Sequence, residues 1–166
     1  MPTLIKKGYV VQDDWMLLRE ATSPDVFEVL QGRDIIVPLK FWNLYKTEME
    51  HYSGNITIWL DSNESIEEVK GNLHKFPLIA LNFPVFSDGR PYTLARELRQ
   101  NLKYRGEIRA IGDVLRDQIF YMSQCGFDSF LIRQDQDPHS CIEALKDFTT
   151  NYQSTSLEPN PLFRRR

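Results

Sequence analysis

Short apolar runs alternate with amphipathic segments along most of the chain. Up to about Gly32, the stretch TLIKKGYVVQDDWMLL gives two β-rich runs around a short turn, the pattern of a hairpin. From Asp34 onward the runs are IIVPL (35–39), ITIWL (56–60), LIALNF (78–83), EIRAI (107–111) and SFLIR (129–133). Each is nearly continuously apolar, as a strand covered on both faces must be. Between them the apolar residues recur at helical spacing. Phe41, Tyr45, Met49 and Tyr52 share a face, as do Ile66, Val69, Leu73 and Phe76. Leu94, Leu98 and Leu102 form a third stripe, Leu115, Ile119 and Met122 a fourth, and Cys141, Leu145 and Phe148 a fifth. Ser65 to Glu68 matches a capping box, and Pro91 and Pro138 suit first-turn positions. The pattern predicts an α/β fold: an N-terminal hairpin followed by about five βα units in a mainly parallel sheet. Two architectures satisfy it. One is an open three-layer sheet; the other is a half-barrel of the TIM type, completed by pairing with a second copy as a homodimer. Residues 1–152 are read as one domain, and the polar, proline-punctuated residues 153–166 as an extended basic tail.

Composition narrows the setting. The 166 residues are 42% hydrophobic, enough for one core of ordinary size, and no apolar run reaches the roughly 20 residues that span a bilayer. Without a signal-peptide pattern either, the protein is expected to be soluble and cytoplasmic, with no membrane partner. Cys125 and Cys141 are too few for a disulfide framework or a four-cysteine iron–sulfur cluster, and they form no CxxC pair. The net charge of −3 argues against nucleic acid as a partner. Between Arg90 and Arg116, however, seven basic residues meet three acids, leaving −7 on the rest of the chain. Such a segment suits a small oxyanion or a local docking patch; the plainer reading is a solvated helix surface.

In a parallel α/β sheet the ligand edge is the carboxyl end of the strands. The residues just after the runs are Pro38 and Lys40, Asp61, Pro84 through Arg90, Gly112 through Asp117, and Arg133 through Asp137. FSDGRPY places Ser87, Asp88 and Arg90 in a tight turn before a helix, where unpaired N–H groups and a guanidinium favour an anion. GDVLRDQ repeats the arrangement, with Asp113 at the expected helix cap and Arg116, Asp117 and Gln118 one turn in. Were the two loops adjacent, Arg90 and Arg116 would converge on one anion, with Asp88 or Asp117 as the candidate catalytic proton acceptor or as an arginine orienter. The plainer readings are an N-cap at Asp113, a simple turn at Asp88, and loop-bracing ion pairs at Arg116 and Asp117. Cys125 lies on an apolar helix face and reads as core, whereas Cys141, with His139 nearby, is a weak nucleophile candidate. His51, His74 and His139 lack metal-ligand spacing. There is no GxGxxG after a strand, no GxxxxGK[ST], no GxSxG and no HExxH, so no cofactor is recognisable. At the end of the tail, Leu162 and Phe163 followed by Arg164, Arg165 and Arg166 form a candidate docking peptide for an acidic partner.

At FSDGRPYTLARELR and YRGEIRAIGDVLRDQIFYMSQCGFDSF the sequence strongly resembles an uncharacterised bacterial family labelled as oxidoreductases of sulfite reduction, whose genes often lie beside those of assimilatory sulfite reductase. DDWMLL, IIVPL and PLFRRR extend the resemblance over nearly the whole chain; Pro91 departs from it, where glycine is more usual. The resemblance implies a role in sulfur assimilation near the reduction of sulfite. That reduction is ordinarily carried by siroheme and an iron–sulfur cluster, and the chain has recognisable ligands for neither. Two functions therefore stand side by side. One is an accessory protein that binds sulfite reductase or its electron-donor protein. The other is a small enzyme or carrier that holds an anionic sulfur compound at the carboxyl edge of the sheet.

Overall fold

Apolar runs become strands of one sheet in the computed structural model, which describes residues 3–20 and 23–146. The strands are β1 (Thr3–Lys6), β2 (Tyr9–Val11), β3 (Trp15–Leu17), β4 (Asp34–Pro38), β5 (Ile56–Leu60), β6 (Leu78–Phe83), β7 (Glu107–Gly112) and β8 (Ser129–Ile132). They lie in the order β2-β1-β8-β7-β6-β5-β4-β3. The β1–β2 hairpin is antiparallel, β1 runs antiparallel to β8, and β3 through β8 are parallel. The helices are α1 (Val26–Val29), α2 (Leu39–Leu44), α3 (Lys46–Glu50), α4 (Arg90–Arg96), α5 (Arg116–Cys125) and α6 (Pro138–Lys146). None is long and apolar enough to cross a membrane among the described residues.

The sequential order decides between the two architectures. From β3 to β8 the strands follow one another without reversal, so right-handed crossovers put every helix on the same face. Ile35, Val37, Ile58, Leu60, Ile79, Leu81 and Ile108 on that face pack with Phe41, Leu98, Ile119, Met122 and Cys141 from the helical side in one core. The alternate residues Ile36, Trp59, Leu78, Ala80 and Ile111 form a second, smaller cluster with Trp15, Leu17 and Leu131. The sheet curls around this second cluster as an eight-stranded half-barrel.

Its curvature follows from one short connection. Val11 ends β2 at one edge and Trp15 begins β3 at the other. Four Cα steps reach at most about 15 Å, whereas the edges of a flat eight-stranded sheet stand about 34 Å apart. Only a curled sheet lets this link close. Asp13, in the middle of the link, accepts a hydrogen bond from Arg109 Nη1 of β7 at 2.9 Å. Ile36, Leu78, Ala80 and Ile111 are thereby buried within the single chain, without a second copy.

Local structure departs from the sequence expectation in three places. The hairpin forms as expected, with Lys7 and Gly8, at φ of 55° and 82°, in its turn, but its second run is divided: YVV is the return strand and WML the far edge of the sheet. The stripe from Ile66 to Phe76 folds as two 3₁₀ stretches, Ile66–Glu68 and Lys70–Lys75, with Ser65 Oγ accepting from Glu67 N–H at 3.1 Å. The stripe from Leu94 to Leu102 closes in a π-turn at Glu97–Asn101. Phe148 and the tail residues Leu162, Phe163, Arg164, Arg165 and Arg166 lie outside the described residues.

Candidate functional site

The carboxyl ends of β4 to β8 gather the polar residues that follow the apolar runs. Gly112 sets their spacing: with φ of 91°, its Cα lies so close to β6 that a Cβ would stand 2.4 Å from Asn82 Oδ1 and 2.4 Å from the Phe83 carbonyl. Asn82 itself is buried and links two neighbours. Arg19 Nη1 donates to Asn82 Oδ1 at 2.8 Å, and Asn82 Nδ2 donates to Asp61 Oδ1 at 3.0 Å. The Arg19 guanidinium also lies 5.4 Å from the centre of the Trp59 ring.

Asp88 and Arg90 occupy the turn before α4, as read from the sequence. Their side chains, however, are turned on each other. Asp88 Oδ1 accepts from Arg90 N–H and Nε at 3.0 Å each, and Asp88 Oδ2 lies 2.8 Å from Arg90 Nη2. These bonds, opposed by partial burial, hold the Asp88 carboxyl well below the usual carboxylate range. Ser87 in the same turn is exposed.

Asp113 does not cap α5, which begins at Arg116 after Leu115. Its carboxylate instead ties two loops. Oδ2 accepts from Phe86 N–H at 2.7 Å, and Oδ1 from Arg133 Nη1 at 2.6 Å. Arg133 also grips Asp135, at 2.8 Å through Nε and 2.5 Å through Nη2, and so draws the Asp135 carboxyl down to about 2. Arg116 turns away toward α6: Nε donates to Ser140 Oγ at 2.6 Å, and its backbone N–H donates to Gln136 Oε1 at 2.9 Å. Asp117 is 88% exposed, 3.5 Å from Arg116, and Gln118 Oε1 is buried without a hydrogen-bond partner among the described residues. Arg90 and Arg116 are thus engaged with different partners, and no convergence on one anion is built between them.

A cavity of about 510 Å³ opens inside the curl of the sheet, lined by residues of the edge strand β3 and of β8. Trp15, Leu17 and Leu131 give it apolar walls, Gly112 lies in its lining, and Arg19, Arg33 and Arg133 bring three guanidiniums against the one carboxylate of Asp13. Below it, Arg109 is 3% exposed and pairs with both Asp13 and Glu107, while Ser129 Oγ donates to Glu107 Oε2 at 2.7 Å. Burial would raise the Glu107 carboxyl, but Lys6, Ser129 and Arg109 outweigh it and hold the group below its ordinary value. Sequence reasoning did not select Arg19, Asn82, Arg109 or Ser129. A signal existed for two of them: Asn82 and Arg109 are the polar residues inside the apolar runs LIALNF and EIRAI. Cys125 and Cys141 are both buried, and burial pushes both thiols up, away from nucleophilic character. Among the described residues no group of three or more His, Cys, Asp or Glu could hold a metal ion.

The sequence model of a family described as bacterial protein of unknown function (DUF934) matches residues 57–163. The match begins in β5, takes in Asp61, Asn82, Asp88, Arg90, Asp113, Arg116 and Arg133, and extends through Leu162 and Phe163. No curated protein matches the chain.

Proposed function

We propose that this chain, which belongs to the bacterial family of unknown function DUF934, serves assimilatory sulfite reduction as an accessory protein that binds sulfite reductase or its electron-donor protein. The observation that carries this reading is the engagement of the carboxylates along the carboxyl rim. A general base must reach a substrate proton with a basicity matched to neutral pH. Asp88 is clamped by Arg90 and held far below that range, and Asp117 stands exposed beside Arg116. Both suit binding and bracing better than proton transfer. The family match through Leu162 and Phe163 adds support for a tail that takes part in docking. A tagged pull-down from a lysate of bacteria grown on sulfate tests the reading. Stoichiometric recovery of sulfite reductase or its reductase partner, lost on deletion of residues 153–166, is expected; recovery of the chain alone would overturn it.

A second reading, that of a carrier for a small anionic sulfur compound, is favoured by the cavity lined by β3 and β8. Arg19 meets no carboxylate at ion-pair distance among the described residues, and its remaining N–H groups lie beside apolar walls that would strengthen a charged hydrogen bond. Calorimetric titration with sulfite and thiosulfate, on the wild-type chain and Arg19→Ala, tests it. Identical heats from the two proteins would remove this reading.

A further inference from the structure

A second concavity lies at the opposite, amino end of the sheet and belongs to neither reading above. It has a volume of about 750 Å³, between the β1–β2 turn and the loop that enters β7. Lys6, Lys7, Arg99, Lys103 and Arg105 line it, against the two acids Glu107 and Asp128. The acids are already occupied: Lys6 Nζ lies 2.6 Å from Glu107 Oε1, and Arg99 pairs with Asp128. Lys7, Lys103 and Arg105 remain exposed and meet no carboxylate at ion-pair distance among the described residues. The basin therefore carries a net charge of +3 within a chain whose total is −3.

The backbone fixes where these charges stand. Lys7 and Lys103 both adopt the left-handed conformation, with φ of 55° and 56°, which side-chain-bearing residues take only where a turn demands it. Arg99 clamps the loop that carries Lys103 and Arg105. Its Nη1 donates to the Tyr104 and Gly106 carbonyls at 2.8 Å each, and Nε and Nη2 donate to the Gly126 carbonyl at 3.1 and 3.0 Å. Tyr104 completes the clamp by donating its hydroxyl to the Phe76 carbonyl at 2.7 Å. A charged surface held this firmly loses little freedom when a partner arrives.

We propose that this basin docks an acidic segment of a partner protein; the proposal deepens the accessory reading by naming the surface that would be used. A compact anion seated deep in the basin would meet Glu107 and Asp128, whereas the carboxylates of a peptide lying across it reach Lys7, Lys103 and Arg105 at its rim. Nucleic acid fits poorly, because its phosphates run beyond the basin onto the acidic remainder of the chain, whereas a short acidic segment can stay within the basin.

The test uses the full chain and a fluorescein-labelled peptide of eight glutamates, read by anisotropy at low and at physiological salt. Wild-type protein binds the peptide, and salt weakens the binding. Combined Lys7→Glu, Lys103→Glu and Arg105→Glu substitution lowers affinity at least tenfold, with the circular dichroism spectrum retained. Reversal of Lys40, Lys46 and Lys70, of equal net charge, changes it less than twofold. Equal weakening by both reversals, or no peptide binding at either salt, overturns the proposal. Tight binding of tripolyphosphate with none of the peptide also overturns it, in favour of a small polyanion. The assay contains no sulfite reductase, so the two readings fail separately. Peptide binding without capture of sulfite reductase sinks the accessory role alone. Capture by the triple variant, with no peptide binding, sinks the basin alone.

Discussion

At the carboxyl end of the sheet Arg90 faces Asp88 at 2.8 Å, and Arg133 faces Asp113 and Asp135 at 2.6 and 2.5 Å. At the amino end Lys7, Lys103 and Arg105 line an open basin whose two acids already have partners. Both ends draw on one cationic stretch, Arg90 to Arg116. The topology explains why it divides. A crossover helix in a parallel sheet carries the chain from the carboxyl end back to the amino end. A charged segment that begins at α4 and finishes at α5 therefore starts at one end, passes the other, and returns. Arg90 and Arg116 fall at the rim, Arg99, Lys103 and Arg105 at the base, and Arg109 inside the trough. A charge count along the chain locates a cationic segment, not a cationic site.

The largest effect is expected where the rim is pinned. Gly112→Ala places a Cβ against Asn82 Oδ1 and the Phe83 carbonyl at a φ that favours glycine. Strain and overpacking together should cost about 3 kcal/mol in a urea titration. The glutamate peptide should bind the folded variant within twofold of wild type. A tenfold loss of peptide affinity would show that the two ends are not independent.

At the amino end, Arg99→Lys keeps the charge but loses the fork that reaches three carbonyls and Asp128. About 2 kcal/mol of stability should go with it. Because the loop bearing Lys103 and Arg105 loosens, peptide affinity should fall severalfold although no rim charge changes. Unaltered affinity would mean that fixed placement of these charges contributes nothing to binding.

How much of this was legible follows from burial. Strands covered on both faces must be apolar throughout, so the five runs mark β4 to β8 to within a residue or two. The edge strand β3 has only three residues, and nothing in WML distinguishes a far edge from a hairpin arm. The carboxyl-edge rule correctly gathered Asp61, Asp88, Asp113 and Arg133, since it depends only on strand direction. Which guanidinium meets which carboxylate depends on loop geometry that no spacing encodes: Arg133, twenty residues from Asp113, takes the acid that the sequence assigns to a helix cap. The basin escaped for the same reason, because Lys6 and Lys7 join Lys103 and Arg105 only through the pairing of β1 with β8.

Glu107 joins the basin to the interior and gives a pH signature. Its folded carboxyl sits below the ordinary 4.5, so the ionised form stabilises the fold above that value, and the contribution is lost as pH falls through the folded value. Glu107→Gln removes the titration and leaves Lys6 and Arg109 with one acceptor fewer. Urea midpoints of wild type and variant should differ most near neutral pH and approach each other as pH falls below 4.5 and through the folded value. A gap that stays constant from neutral pH down through acid would show that Glu107 is not the group linking the two regions to pH.

The smallest structural change carries the sharpest distinction at the rim. Asp88 accepts three hydrogen bonds from Arg90 and should titrate well below the free-aspartate value of 3.8 when followed by carboxyl ¹³C shifts. Arg90→Ala removes the two side-chain donors and should bring it back toward 3.8, with the unfolding midpoint little changed because Arg90 is 61% exposed. The direction of that shift bears on function. A carboxylate held low by its neighbour is a brace, whereas one that titrates near neutral pH in the wild-type chain would be a competent base, and the enzymatic reading of the rim would then displace the accessory one.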